Sequence, residues 1–264
     1  MTHPSPRPSP TPPAIRVGVG GWTYEPWRNN FFPPGLPHSR ELAWASRQLS
    51  AIEVNGTYYG TLKPASFKKW HDETPADFVF SLKASRYATN RRVLAEAGES
   101  INRFVDSGIS ELRHKLGPIV WQFMPGKVFE AGDFEAFLAL LPSHVDGLPL
   151  RHVLDVRHES FATPAYLALA RRHGCVTVYT DASQFPQITD SQGQFAYLRL
   201  MRSQPGLPTG YPPGALDQWA DGARAWTGGS TPREVFLYFI NGAKERAPAA
   251  AMALLARLGF KPAA

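Results

Sequence analysis

The stretch RHVLDVRHESF, residues 151–161, decides how this chain is read. It begins as a β-rich run and ends in Asp155, Arg157 and His158. Side chains in a strand alternate between its two faces, so Leu154 and Val156 share one face while Asp155 and Arg157 share the other. A strand inside a core has no use for a charged pair on one face. The run therefore leaves the core where the charges begin. That is how strands end at the mouth of a β/α barrel, where such folds place their chemistry.

Seven further runs surround RHVLDV (151–156): IRVGVG (15–20), SAIEVN (50–55), DFVFSLK (77–83), PIVWQF (118–123), CVTVYT (175–180), FAYLRL (195–200) and EVFLYFI (234–240). Helical segments separate them. Ser39 before RELAWASRQL and Asp133 before FEAFLALL are expected N-caps, and Thr163 is expected to cap a helix with Pro164 at its first position and Gly174 beyond its end. Leu254, Leu255 and Leu258 give the last helix one apolar face. Eight strands alternating with helices predict a (β/α)8 TIM barrel, a single α/β domain over residues 15–264. The segment DASQFPQITDSQGQ (181–194) is short, contains Pro186 and Gly193 and lacks helical periodicity, so the helix between strands six and seven is expected to be reduced or missing. The competing architecture is an open doubly wound sheet.

Composition narrows the class. The 264 residues are 43% hydrophobic, enough for a large core, and the formal charge of +6 is spread without a basic run, which favours anionic ligands only slightly. Residues 1–14 contain six prolines and are read as a disordered tail rather than a signal peptide. No stretch is long and apolar enough to suggest a membrane span. The single cysteine, Cys175, leaves no partner for a disulfide within the chain and lies in the apolar GCVTVY. It is read as a small core residue, and a reducing, cytoplasmic location is expected.

The alternation seen in LDVR recurs. Glu53 and Asn55 oppose Ile52 and Val54; Ser81 and Lys83 oppose Phe80 and Leu82; Gln122 opposes Trp121 and Phe123; Tyr197 and Arg199 oppose Leu198 and Leu200. Tyr179 and Asp181 share a parity, as do Phe236 and Tyr238. The outer face must be apolar against the helices, so the polar set is expected in the lumen, near the mouth. One buried ion pair there would be unremarkable as structure, because desolvation can cancel its Coulomb gain. A lumen holding Glu53, Lys83, Asp155, Arg157, Asp181 and Arg199 points instead to a ligand or catalytic site. His158, of opposite parity to Arg157, faces either that site or a neighbouring loop or helix.

The segments GGWTYEPWRNNFFP (20–33), IEVNGTYYG (52–60), FSLKASRYATN (80–90), LGPIVWQFMP (116–125), DVRHESF (155–161), YLRL (197–200) and YFING (238–242) together resemble the YecE-like family, a domain of unknown function. The resemblance runs from about Ile15 to Leu258 and implies a TIM barrel with a pocket but no established reaction. The chain departs from the family's pattern in several places. Val19 and Gly20 stand where a Thr or Ser is usual, and Asn90 where His is common. Asp155 replaces a glutamate, LMRS replaces a polar, glycine-containing segment, and Ile240 with Asn241 replaces paired asparagines. The charged lumen is mostly left standing.

These residue types limit the chemistry. Arg157 and Arg199 offer planar donor forks for phosphate or carboxylate. Glu53 and Asp155 are candidates for general acid and base. Lys83 is a possible Schiff-base nucleophile, but nearby carboxylates would favour its ammonium form, so electrostatic stabilisation or substrate clamping is the preferred expectation. Asn55, Gln122 and Asn241 are candidate polar contacts, and Tyr58 and Tyr238 candidate donors or stacking rings. Trp22 and Trp27 are expected to shape the mouth beside the glycines of GVGGW. That motif lacks the GxGxxG spacing of a dinucleotide site. No clustered histidine spacing is present, and the interspersed cations would repel a divalent ion, so neither metal nor cofactor is expected. Two functions fit: a metal-independent acid–base enzyme (hydrolase, lyase or isomerase) acting on a small anionic, phosphorylated or sugar-like molecule, or a non-catalytic binder of an anionic ligand or nucleic-acid end.

Overall fold

Every one of the eight β-rich runs forms strand. The computed structural model describes residues 15–228 and 232–262, so the proline-rich tail lies outside the described residues. The strands are β1 (Ile15–Gly20), β2 (Ala51–Val54), β3 (Val79–Lys83), β4 (Leu116–Gln122), β5 (His144–Val145), β6 (Leu148–Pro149), β7 (His152–Asp155), β8 (Val176–Thr177), β9 (Tyr179–Thr180), β10 (Phe195–Leu200) and β11 (Glu234–Phe239). β5 and β6 make a small separate hairpin. The other nine pair in parallel, in the order β8-β7-β4-β3-β2-β1-β11-β10-β9.

The two ends of that order are halves of one run, separated by Val178 alone. β8 pairs with β7, β9 pairs with β10, and the Val178 N–H donates to Leu154 O at 3.0 Å between them. The sheet therefore wraps into a barrel whose sixth strand is broken, and the open sheet is excluded. The helices are α1 (Glu41–Gln48), α2 (Gly56–Tyr59), α3 (Pro64–Glu73), α4 (Arg86–Thr89), α5 (Gly98–Val105), α6 (Ala131–Ala139), α7 (Pro164–Arg172), α8 (Pro213–Thr227) and α9 (Ala247–Arg257). α2 and α4 are single turns following β2 and β3. Residues 181–194, between β9 and β10, contain no helix, as expected.

One of the three expected caps forms as drawn. Thr163 Oγ1 accepts from the Tyr166 N–H at 3.3 Å, and Gly174 takes a φ of +66° beyond the helix end. Ser39 instead lies in a 3-10 turn, His38–Arg40, and α1 has no side-chain cap. Asp133 lies inside the first turn of α6, and its carboxylate accepts from the backbone N–H groups of Leu94 (3.0 Å) and Ala95 (2.9 Å). A residue expected to start its own helix thus ties a distant loop to it.

Two apolar layers result from the alternation. Phe80, Trp121, Phe123, Leu198 and Leu237 pack outward against the helices. Val79, Val120, Val153, Tyr197 and Phe236 fill the lumen. The lumen is tight at its wall: a Cβ on Gly18 would stand 1.9 Å from Ala51 O, so only glycine lets β1 lie against β2 there. At the N-terminal end the Arg151 guanidinium lies 4.9 Å over the Phe236 ring and donates to Glu234 at 2.6 Å. Cys175 is buried, and burial pushes its thiol up to about 12, which suits the core role expected for it. Among the described residues no helix is long and apolar enough to cross a membrane.

Candidate active site at the barrel mouth

Five strands end in inward-facing polar residues: Glu53 on β2, Lys83 on β3, Gln122 on β4, Asp155 on β7 and Arg199 on β10. Arg199, only 1% exposed, joins Glu53, Gln122 and Asp155. Its Nη2 donates to Glu53 Oε1 at 3.0 Å, and its Nη1 donates to Asp155 Oδ2 and, at 3.2 Å, to Gln122 Oε1. Arg157 completes the network from the loop after β7. Its Nη2 donates to Asp155 Oδ2 and to Gln122 Oε1, both at 2.9 Å. The Phe185 ring, from the helix-less segment after β9, lies 4.6 Å from the Arg157 guanidinium.

Glu53 is fully buried, and both its oxygens are occupied. Oε1 takes Arg199, and Oε2 accepts from the Tyr197 hydroxyl at 2.9 Å. Asp155 Oδ2 takes donors from two guanidinium groups. Both acids are turned to the arginines, with Glu53 below the cavity floor. This corrects the expectation that Glu53 meets a ligand directly as acid or base. Burial works against the charge on Arg199, but Glu53 and Asp155 outweigh it and raise its pKa. Tyr197 and Tyr238 are pushed well above the usual phenol range by burial and by Glu53. The Tyr238 ring lies 5.2 Å from the Tyr197 ring, with its buried hydroxyl unpartnered among the described residues.

Lys83 differs from its neighbours. Among the described residues its Nζ makes no hydrogen bond and no ion pair; it lies 4.2 Å from the centroid of the Tyr58 ring. Burial first, and then Arg199, lower its pKa from the ordinary 10.5 to about 8, against the opposing pull of Glu53 and Asp155. About a tenth of such an amine is neutral at pH 7.

Above this network opens a cavity of about 320 Å³, lined by Gly20, Asn55, Tyr59, Lys83, Gln122, Arg157, Arg199, Ile240, Asn241 and Lys244. Six of the expected site residues line it: Asn55, Lys83, Gln122, Arg157, Arg199 and Asn241. Of the other expected residues, Tyr58 and Tyr238 are buried and do not line the cavity, and four expected mouth residues are elsewhere. Asp181 accepts from the Met201 N–H at 2.6 Å and the Tyr211 hydroxyl at 2.8 Å, outside the lumen, because Val176 and Val178 hold the inward parity of their run. Trp22 packs edge-on against Trp70 at 5.0 Å and near Phe80. Trp27 is buried and donates its indole N–H to Lys244 O at 2.8 Å. His158 accepts from the Ser160 N–H at 3.2 Å, capping its own 3-10 turn.

Tyr59 and Lys244 were not expected. Tyr59 ends the single turn α2 and Lys244 starts a 3-10 turn before α9, where no strand alternation flags an inward face. A second, more apolar cavity of about 270 Å³ lies at the broken sixth strand, beside Tyr179, Trp219 and Trp226, with Asp190 and Arg233 as its charged lining residues. Among the described residues no three of His, Cys, Asp and Glu come together as a metal-ligating group.

The family described as "Protein of unknown function DUF72" matches residues 16–264. The chain belongs to the DUF72 family. Its barrel superposes on that of a DUF72 family protein from Thermotoga maritima with a TM-score of 0.74 at 21% identity, over 93% of this chain and 99% of the other. A DUF72 family protein from Enterococcus faecalis gives 0.69 at 17% identity, over 94% and 98%. Outside the DUF72 family, an L-ribulose 3-epimerase shares the fold at a TM-score of 0.53 and 11% identity, over 93% and 95%. Curated proteins offer no match.

Proposed function

We propose that this DUF72 barrel binds a small anionic molecule at its mouth and carries out acid–base chemistry on it, with Lys83 as the group in contact with the reacting atoms. The observation that carries this reading is the cavity lining. Lys83, Arg157, Arg199 and Lys244 meet there above two carboxylates, which leaves the mouth positive, and among the described residues neither lysine amine has a hydrogen-bond or ion-pair partner, Lys83 being the more buried of the two. A catalytic acid or base works best with a pKa near the operating pH, and the Lys83 value of about 8 meets that condition. Glu53 and Asp155 then act by positioning the arginines and by setting the field around Lys83. Asn55, Gln122 and Asn241 supply neutral contacts suited to hydroxyl groups. The barrel neighbours described as L-ribulose 3-epimerase and D-psicose 3-epimerase share the fold alone, and they make a sugar-like substrate a reasonable first class to try. No metal or cofactor is invoked.

The test uses ketose and aldose phosphates incubated with the full chain in D2O and followed by NMR. Solvent deuterium entering a carbon-bound position next to the carbonyl, lost in Lys83→Met, is the expected result. Failure of calorimetry to detect any sugar phosphate or inorganic phosphate would refute the anion site. Binding of these anions with neither exchange nor turnover would make the barrel a binder and end the catalytic half of the proposal.

A further inference from the structure

We infer that Lys83 condenses with the carbonyl group of an anionic aldehyde or ketone, so that the substrate class at the mouth is a carbonyl compound carrying a phosphate or carboxylate. This deepens the anion-binding reading above and rests on it.

The geometry argues for a free amine. Lys83 is the last residue of β3, so its stem is anchored on the barrel wall while its Nζ meets the cavity. The two carboxylates of the network make their hydrogen bonds to other donors and none to Nζ. Glu53 is taken by Arg199 and Tyr197, and Asp155 by Arg157 and Arg199. The Tyr58 ring below offers a face rather than a lone pair. Arg157, Arg199 and Lys244 line the same cavity, disfavour one more positive charge and provide a seat for the anionic end of a ligand. Lys68 is tied to Asp72 at 2.7 Å, and Lys127 to Arg92 O at 2.7 Å. Lys244, which lies over the Tyr24 ring at 4.3 Å in a 3-10 turn before α9, is the natural internal comparison.

The step balances without a co-reactant. The Nζ lone pair attacks the carbonyl carbon while the C=O π pair moves to oxygen, giving a carbinolamine. That oxygen takes up protons and leaves as water, and the nitrogen lone pair closes the C=N bond. One amine, one carbonyl and one proton become one iminium and one water.

The experiment treats the full chain at neutral pH with pyridoxal 5′-phosphate or glyoxylate plus cyanoborohydride, which reduces an iminium to a stable secondary amine. Adducts are located by peptide mass mapping. The expected result is a single early adduct on Lys83, slowed by inorganic phosphate, absent in Lys83→Arg and unchanged in Lys68→Met, whose lysine is paired to Asp72 outside the cavity. Propanal, an uncharged aldehyde, should label Lys83 at least about tenfold more slowly. Labelling spread over surface lysines, or settling on Lys244, overturns the proposal, and equal labelling by propanal overturns the anionic class. Calorimetry with inorganic phosphate separates the two levels. Phosphate binding without a Lys83 adduct rejects the covalent step and spares the anion site; absence of both rejects the two together.

Discussion

Replacing Arg199 by Met would remove the cation that bridges the two buried acids. Arg199 is 1% exposed and Glu53 is fully buried, so water cannot take over the lost contacts. Glu53 would keep only the Tyr197 hydroxyl, and Asp155 would keep Arg157. Breaking a buried pair by deleting one partner costs about 3–5 kcal/mol, most of it from the charge left uncompensated. In a domain of this size that is a fall in Tm of roughly 6–20 °C. The cause is separable from simple loss of packing. Adding Glu53→Gln to Arg199→Met removes the stranded charge while keeping an acceptor for Tyr197, and should recover at least about 1.5 kcal/mol. Urea denaturation followed by circular dichroism reads both numbers. A loss below about 1 kcal/mol for Arg199→Met, or a double variant no more stable than the single one, would refute the view that Arg199 neutralises a buried carboxylate.

Three other perturbations have defined outcomes. Lys83→Met should stabilise the fold at pH 7: the folded-state value of about 8 lies below the ordinary 10.5, so the unfolded chain binds the extra proton and wild-type stability rises between those two pH values. The gain at neutral pH is on the order of 2–3 kcal/mol, shrinking to nothing above the upper value, and comparing melts of variant and wild type across that range isolates it from Glu53, Asp155, Arg157, Arg199 and Tyr58 around it. Gly18→Ala should cost about 1–3 kcal/mol or more in denaturant unfolding, because its Cβ would overlap Ala51 O. Asp133→Ala should cost about 1–2 kcal/mol and raise hydrogen exchange at Leu94 and Ala95, whose N–H groups it holds.

The barrel was legible because each run carries its own signature twice, as a β-rich composition and as an alternation of faces. Asp155 and Arg157 on one parity, opposite Leu154 and Val156, were enough to point to a mouth. The same rule, followed through, also places Asp181 outside: it shares the parity of Tyr179, which packs toward Trp219 at 6.1 Å. Parity stops where a strand stops. β1 ends at Gly20, Gly21 takes a φ of +75°, and Trp22 is turned back onto Trp70. Tyr59 and Lys244 reach the cavity from short helical turns beyond the strand ends, whose paths are set by tertiary contacts. Nor could sequence show that Glu53 and Asp155 pair with Arg199 rather than with Lys83, since that pairing depends on distances across the lumen.

The most direct measurement is the titration of the Lys83 amine itself, by trace labelling with acetic anhydride from about pH 6 to about pH 11 and mass mapping of each lysine. A reactivity midpoint near 8 for Lys83, moving upward when inorganic phosphate is added, is the predicted result. A midpoint near the ordinary 10.5 that phosphate leaves unmoved would contradict the picture of a free amine in an anion-binding mouth.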